Sequence, residues 1–162
     1  VAGATGSVGG AAVQIGRHLG ARVSATASPA NHALARALGA ETVTDYRDAA
    51  PPGPFDVILD VMGGLGWRGA KPILAPKGRL ALITADLPAM LGAVLLPHGQ
   101  GRRVIAGTSP ETRAKMERLV SLHLAQGYTP AVGQVLPFAK LAEAHAIAES
   151  FHKPGNLVVV ME

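Results

Sequence analysis

The chain has 162 residues, a net charge of +4, 48% hydrophobic residues and 4% aromatic residues. This length is typical of one domain, or of one domain with part of a second, and the apolar content excludes a disordered chain. With no cysteine, the chain contains no disulfide and no thiolate zinc site. Its basic residues are scattered along the sequence, which argues against nucleic acid as the main partner.

Hydrophobic periodicity predicts that helices alternate with strands. The predicted helices cover residues 7–19, 33–38, 67–74, 109–126 and 141–149, and the predicted strands cover residues 22–27, 42–44, 55–61, 79–84, 103–106, 132–136 and 157–160. Residues 51–54 are expected to form a loop and residues 76–78 a turn, and residues 85–101 show no regular pattern. Strands that alternate with helices imply an α/β fold with a parallel sheet covered on both faces.

A glycine-rich turn, Gly3-Ala4-Thr5-Gly6-Ser7-Val8-Gly9, opens the first predicted helix. A turn of this kind binds a pyrophosphate, because its glycines allow close approach of the backbone and the helix N-terminus offers free N–H groups. We assign the close approach to Gly6 and helix packing to Gly9, and Thr5 and Ser7 add hydroxyl donors. The turn therefore predicts a dinucleotide site on a Rossmann-type doubly wound sheet.

The start of the chain is unusual for such a turn. The turn normally follows a buried strand, of which only Val1 and Ala2 are present. We therefore expect the chain to be a piece of a longer polypeptide, cut inside its first strand.

The end of the second strand indicates which dinucleotide is bound. NAD sites usually carry an acidic residue there, whereas this strand ends in Ala27 and Ser28. Without the acid, a 2′-phosphate meets no repulsion, and Ser28 can donate a hydrogen bond to it. Further candidates for contacts with the 2′-phosphate or the adenosine are Asn31, His32, Arg36, Tyr46 and Arg47. We therefore predict NADP(H) as the cofactor.

The ends of two central strands are predicted to lie at the nicotinamide ribose. These positions are Met62 and Gly63 after the strand at 55–61, and Ile83 and Thr84 at the end of the strand at 79–84. No nucleophile motif is present, and hydride transfer requires none, because the cofactor carries the chemistry. No metal is expected, because no metal-ligand spacing connects His18, His98, His123, His145 and His152.

Taken together, these motifs resemble the medium-chain dehydrogenase/reductase superfamily, in particular its quinone oxidoreductase-like branch. The resemblance rests on residues 3–9, Gln14-Ile15, residues 19–23, residues 38–40, Asp45-Tyr46-Arg47, residues 55–60 before Gly63-Gly64, residues 136–138, residues 142–145 and residues 154–159. It covers essentially the whole chain.

The resemblance implies a two-domain enzyme that transfers a hydride from NADPH to a quinone or an α,β-unsaturated carbonyl. Residues 1–130 would form the nucleotide domain, and residues 131–162 would be the tail of a GroES-like substrate domain whose main part lies upstream. It also implies that Ser28 and Tyr46 contact the 2′-phosphate or adenosine. Asn31 and Asn156 stand where the branch often has basic residues.

The resemblance implies a homodimer, whereas the other expected partners and the location follow from the sequence, whose lack of cysteine fits a reducing cytoplasm. We expect a small-molecule substrate, a homodimer, no membrane partner and a cytoplasmic location, since no apolar run approaches the ~20 residues that span a bilayer and no signal peptide is present.

Two other classes of protein stay open. The sequence Gly3-Ala4-Thr5-Gly6 also opens short-chain dehydrogenases and NmrA-like nucleotide sensors. Short-chain catalysis needs a Lys four residues after a Tyr, but Ala50 follows Tyr46 and Val132 follows Tyr128 at that spacing. A non-catalytic NADP(H)-binding module remains the alternative to an enzyme.

Overall fold

Helices and strands alternate along the chain, as the periodicity predicts. The computed structural model describes residues 1–48, 51–95, 99–107, 110–150 and 153–161. The helices are α1 (Ser7–His18), α2 (His32–Ala37), α3 (Gly66–Ala70), α4 (Leu87–Leu95), α5 (Arg113–Leu124) and α6 (Leu141–Glu149). The strands are β1 (Ser24–Ala27), β2 (Thr42–Asp45), β3 (Phe55–Asp60), β4 (Leu74–Leu82), β5 (Arg103–Ala106), β6 (Val132–Pro137) and β7 (Asn156–Val160).

All strands of the main sheet are parallel, and the order in which they are added reverses at the centre of the sheet. β1 pairs with β2 on one side, and β3, β4 and β5 follow one another on the other side. Ala2 joins the two halves, because it bridges Thr26 of β1 and Asp60 of β3. The order β2-β1-Ala2-β3-β4-β5 confirms the predicted Rossmann-type α/β fold. Ligands of such sheets bind where the strand order reverses, which is here beside Ala2.

Each half of the sheet has its own core. The first core packs α1 and α2 on β1 and consists of small aliphatic side chains: Ala4, Val13, Val23, Ala25, Ala27, Ala35 and Ala40. The second core consists of Ile58, Ala70, Leu74, Leu80 and Leu82. The alanines of the first core let α1 approach the sheet closely, which fixes the N-terminus of this helix at the ends of the strands.

The predicted helix over residues 67–74 is wrong in its second half. α3 ends at Ala70, a 3-10 turn covers Lys71–Ile73, and Leu74 begins β4. Pro72 cannot donate the next helical hydrogen bond, and Leu74 is only 1% exposed in the second core. The predicted turn at 76–78 lies inside β4, where the pairing with β3 shifts register between Phe55 and Val57.

Residues 85–101, predicted to be irregular, contain the helix α4. Apolar side chains lie on all sides of this helix, so the sequence shows no amphipathic pattern there. A cap signal is present, since the Asp86 carboxylate accepts a hydrogen bond from the N–H of Ala89 at 2.9 Å. The predicted start of α5 at Ser109 lies outside the described residues, as do His98 and His152.

The C-terminal residues form a second, two-stranded parallel sheet of β6 and β7, with α6 between them. This tail contacts the glycine turn, because the N–H of Gly155 donates to the carbonyl of Thr5 at 2.7 Å. The assignment of residues 131–162 to a substrate domain stays a prediction. In the described part of the chain, no helix is both long and apolar enough to cross a membrane.

Candidate functional site

The glycine turn leaves the sheet at the point where the strand order reverses. Gly3 has a φ of +83°, and a Cβ at this position would lie 2.7 Å from Cγ of Met62. A Cβ at Gly9 would overlap the carbonyl group of Gly3, so Gly9 is required for α1 to pack against the turn. Gly6 differs from both, because no atom lies within 4 Å of a Cβ built there. Of these three glycines, Gly6 alone therefore faces open space.

The N-terminus of α1 points into this open space. The first hydrogen bond within the helix runs from the N–H of Gly10 to the carbonyl of Gly6 at 2.8 Å, so the earlier N–H groups have no partner inside the helix. The N-cap residue of α1 is Gly6, so no side chain caps this helix, and its first turn contains no acidic residue. The positive end of the helix is thus available to an anion.

A groove of about 820 Å³ lies between β1 and β3, and it extends from Arg22, just before β1, to the glycine turn. This volume lies within the range of small-molecule and cofactor sites. Of the predicted site residues, the groove is lined by Thr5, Gly6, Ser28, Asn31, Tyr46 and Met62. The predicted residues outside its lining are Ala4, Ser7, Val8, Gly9, His32, Gly63, Ile83 and Thr84. Ala4 and Gly9 are buried under the turn, whereas Ser7 and Val8 are exposed at the start of α1.

One end of the groove contains the residues predicted for the adenosine side. Ser28 follows β1 and is half-buried, and the ring of Tyr46 is exposed beside the end of β2. His32 turns back toward the sheet, because its Nε2 lies 3.2 Å from the carbonyl oxygen of Ala27. The structure therefore places Ser28, Asn31 and Tyr46 at the groove and directs His32 away from it.

An acidic residue that the sequence analysis did not select also lines this end. Asp45 ends β2 and pairs in register with Ala27, and its side chain is 13% exposed. The guanidinium of Arg47 contacts both carboxylate oxygens, at 2.7 Å from Nη2 and 3.1 Å from Nε. These side-chain hydrogen bonds, and one from the backbone N–H of Arg47, hold the pKa of Asp45 below its usual value. The guanidinium of Arg47 is therefore ion-paired with Asp45.

The ends of β3 and β4 lie next to each other, on the side of the turn opposite the adenosine-side residues. Oγ1 of Thr84 donates to the carbonyl of Val61 at 3.2 Å. Gly63 has a φ of +73°, and a Cβ there would lie 3.0 Å from the same hydroxyl oxygen. Met62 extends over Gly3 and stays 59% exposed. The structure thus brings Met62, Gly63 and Thr84 together beside the turn, as predicted for a nicotinamide site.

Asp60 holds this loop in place, and the sequence analysis overlooked it. Its side chain is completely buried. One carboxylate oxygen accepts the N–H of Gly63 at 2.9 Å, and the other accepts those of Leu65 at 3.1 Å and Gly66 at 2.9 Å. Its position directly after the apolar run Val57-Ile58-Leu59 is the signal that could have identified it, because a buried carboxylate needs such partners.

Comparisons with known proteins agree with this geometry. The sequence profile of the family described as zinc-binding dehydrogenase matches residues 38–159. The human mitochondrial NAD(P)H oxidoreductase RTN4IP1 is 28% identical over 98% of this chain and 46% of its own length. The chloroplastic NADPH-dependent alkenal/one oxidoreductase of Arabidopsis thaliana is 26% identical over 95% of this chain and 38% of its own length.

A solved structure is also similar. The quinone oxidoreductase from Thermus thermophilus, determined alone and in complex with NADPH, is 28% identical with a TM-score of 0.76. The match covers 98% of this chain and 55% of that structure. The chain thus spans about half the length of the relatives that it matches.

The family description mentions zinc, but the described residues contain no group of three or more His, Asp or Glu side chains placed to hold a metal ion. No chemical step is therefore assigned to a metal here. The strands β2 to β6 and the C-terminal motifs lie within the matched residues, and the main sheet to which β2–β5 belong is parallel. The chain belongs to the zinc-binding dehydrogenase family of the medium-chain dehydrogenases/reductases.

Proposed function

We propose that this chain is the cofactor-binding part of an oxidoreductase that transfers a hydride from NADPH to a quinone or an α,β-unsaturated carbonyl. The observation that carries the proposal is the uncapped N-terminus of α1, which opens beside Gly6 at the reversal point of the sheet. The relatives named for NAD(P)H and NADPH support a nicotinamide cofactor, and those named for quinones and alkenals support this class of acceptor.

Residues in and beside the groove can be matched in order to the parts of a dinucleotide. The pyrophosphate would accept hydrogen bonds from the first turn of α1, where Gly6 leaves room for it. Ser28, Asn31 and Tyr46 would contact the adenosine ribose and its 2′-phosphate. The strand ends with Met62, Gly63, Ile83 and Thr84 would lie at the nicotinamide end.

The chain's own residues would orient the cofactor. The nicotinamide supplies the hydride when the cofactor is bound. Around it, Asp60 fixes the backbone of the loop at Gly63, and the hydroxyl of Thr84 fixes Val61. A rigid loop of this kind keeps a reacting ring in one orientation, and orientation is a large part of catalysis.

Preference for NADPH over NADH is supported by the charges at the adenosine end. No acid follows β1, where NAD sites usually place one, and Ser28 offers a hydroxyl instead. Two acids line this end, Asp45 and Asp48, and the ion pair with Arg47 neutralises Asp45. A 2′-phosphate would accept a hydrogen bond from the Ser28 hydroxyl, with Asp48 as the negative charge left at the rim of the groove.

The proposal is tested by following NADPH absorbance with the full-length protein and a panel of quinones and α,β-unsaturated carbonyls. We expect oxidation of NADPH that depends on at least one of these acceptors. If the protein binds NADPH but oxidises it with none of them, the non-catalytic nucleotide-binding module is the better account.

A further inference from the structure

We propose that Lys153, in the C-terminal tail, is a cofactor-binding residue that contacts the pyrophosphate opposite the N-terminus of α1. This inference rests on the proposed function, because it concerns the same groove. Lys153 is half-buried and lines the groove together with Gly6 and Thr5. Its Nζ lies 3.4 Å from Oγ of Ser7, the first residue of α1.

The tail is held firmly enough to position this ammonium group. The N–H of Gly155 donates to the carbonyl of Thr5 at 2.7 Å, and Nζ of Lys153 donates to the carbonyl of Gly155 at 2.8 Å. The segment with Lys153 is therefore attached to the glycine turn at Thr5.

The charge of Lys153 lacks a counter-charge within the described ranges. No carboxylate among those residues lies within 4.0 Å of its Nζ, and its two hydrogen-bond partners are neutral oxygens. An ammonium group carries three N–H donors, so one is left over for a ligand. Together with the positive end of α1, this cation forms a site for an anion with more than one negative charge, such as a pyrophosphate.

The neighbouring position in the tail does not supply this charge. Asn156 follows Gly155, and its side-chain amide donates to the carbonyl of Ala131 at 3.0 Å across the β6–β7 sheet. The cation near the turn thus comes from Lys153, two residues before Gly155. The tail therefore contributes directly to the cofactor site.

The test compares three ligands in the full-length protein by calorimetric titration: NADPH, ADP-ribose and adenosine 2′-monophosphate. The first two carry a pyrophosphate, and the third does not. In Lys153→Met, which keeps the aliphatic stem, we expect affinity for NADPH and for ADP-ribose to fall about tenfold, since one charge-assisted hydrogen bond is lost. Binding of adenosine 2′-monophosphate should not change.

Two further variants separate charge from structure. Lys153→Arg should restore most of the affinity, and Lys140→Met is the matched control, because Lys140 lies in the same tail but pairs with Glu143. Unchanged NADPH binding in Lys153→Met, or equal losses for all three ligands, would overturn the assignment of Lys153. Failure of the unmodified protein to bind NADPH would instead overturn the proposed function itself.

Discussion

At the scale of single residues, the three glycines of the turn have different surroundings. Gly3 and Gly9 are constrained by neighbouring atoms, whereas Gly6 borders empty space. Sequence analysis assigned Gly6 to the ligand and Gly9 to packing, and the contacts around both agree with that division. Ala4, in the place of the usual first glycine, has no exposed surface and belongs to the core.

Gly6→Val is expected to abolish nucleotide binding without unfolding the protein. The backbone at Gly6, with φ −79° and ψ 177°, is extended and open to any residue, so the fold tolerates the side chain. The valine methyl groups would occupy the space of the pyrophosphate. Titration with NADPH and a thermal melt measure both effects.

Gly9→Ala is the matched contrast, because its methyl group would overlap the Gly3 carbonyl and should destabilise the protein by about 1–3 kcal/mol. Normal affinity in a folded Gly6→Val variant would show that the turn has only a structural role.

Ser28→Asp is expected to reverse the preference between the two cofactors. A carboxylate at this position would repel a 2′-phosphate and accept hydrogen bonds from the ribose hydroxyls of NADH. We expect affinity for NADPH to fall about tenfold, the size of a like-charge interaction at partly exposed positions. Ser121→Asp, on the exposed face of α5, adds the same charge away from the groove and should change neither affinity. A Ser28→Asp variant that still favours NADPH would argue against the 2′-phosphate assignment.

At the scale of elements, sequence patterns located the strands and helices that have a clear hydrophobic period. They failed where tertiary packing determines whether a segment is a helix or a strand. α1, β1 and β3 were predicted close to their observed bounds, because their apolar residues follow helical or strand spacing. The end of α3 was predicted too late, since Leu74 could continue a helical stripe but instead enters the sheet. α4 was missed because an almost wholly apolar segment has no period to detect.

The candidate site shows the same limit. Strand ends and the turn were predicted from order along the chain. The turn and the adenosine-side residues line one groove, whereas Gly63, Ile83 and Thr84 lie outside its lining. The contribution of Asp45, the direction of His32 and the position of Lys153 depend on how side chains pack between elements. Linear spacing carries no information on those contacts.

Asp60→Ala is expected to destabilise the loop between β3 and α3. It would leave three backbone N–H groups, those of Gly63, Leu65 and Gly66, without their acceptor. These three hydrogen bonds are only partly buried and contribute about 0.5–1.5 kcal/mol each, so we expect the free energy of unfolding to fall by about 2–4 kcal/mol. Chemical denaturation measures this change. Asp56→Ala, at an exposed position of the same strand, is the control and should have a small effect. Equal stability of both variants would contradict the role given to Asp60.

At the scale of the whole molecule, the two halves of the sheet and the tail converge on one groove. In the proposed function, the β1–β2 half would supply the adenosine end and the β3–β4–β5 half the nicotinamide end, and the tail contacts the turn between them. The expectations of a homodimer and a cytoplasmic location stay predictions, and RTN4IP1, one of the relatives, is named as mitochondrial.

Residues 1–162 by themselves are expected to bind NADPH but to reduce quinones and enones slowly compared with the full-length protein. This follows from the proposal that a substrate domain outside these residues forms the second wall of the cleft. Without that wall, the acceptor is neither oriented nor shielded from water. Parallel assays of both forms, following NADPH absorbance, provide the measurement. Comparable turnover by residues 1–162 would mean that they contain the substrate site themselves.

The most direct test of the account is a calorimetric titration of the full-length protein with NADPH and with NADH at the same salt concentration. The account predicts that both bind, since the turn and α1 recognise the pyrophosphate that they share, and that NADPH binds more tightly. Absence of binding by either cofactor would contradict the central claim that this groove is a dinucleotide site. Equal affinities, or tighter binding of NADH, would contradict the assignment of the adenosine end to a 2′-phosphate.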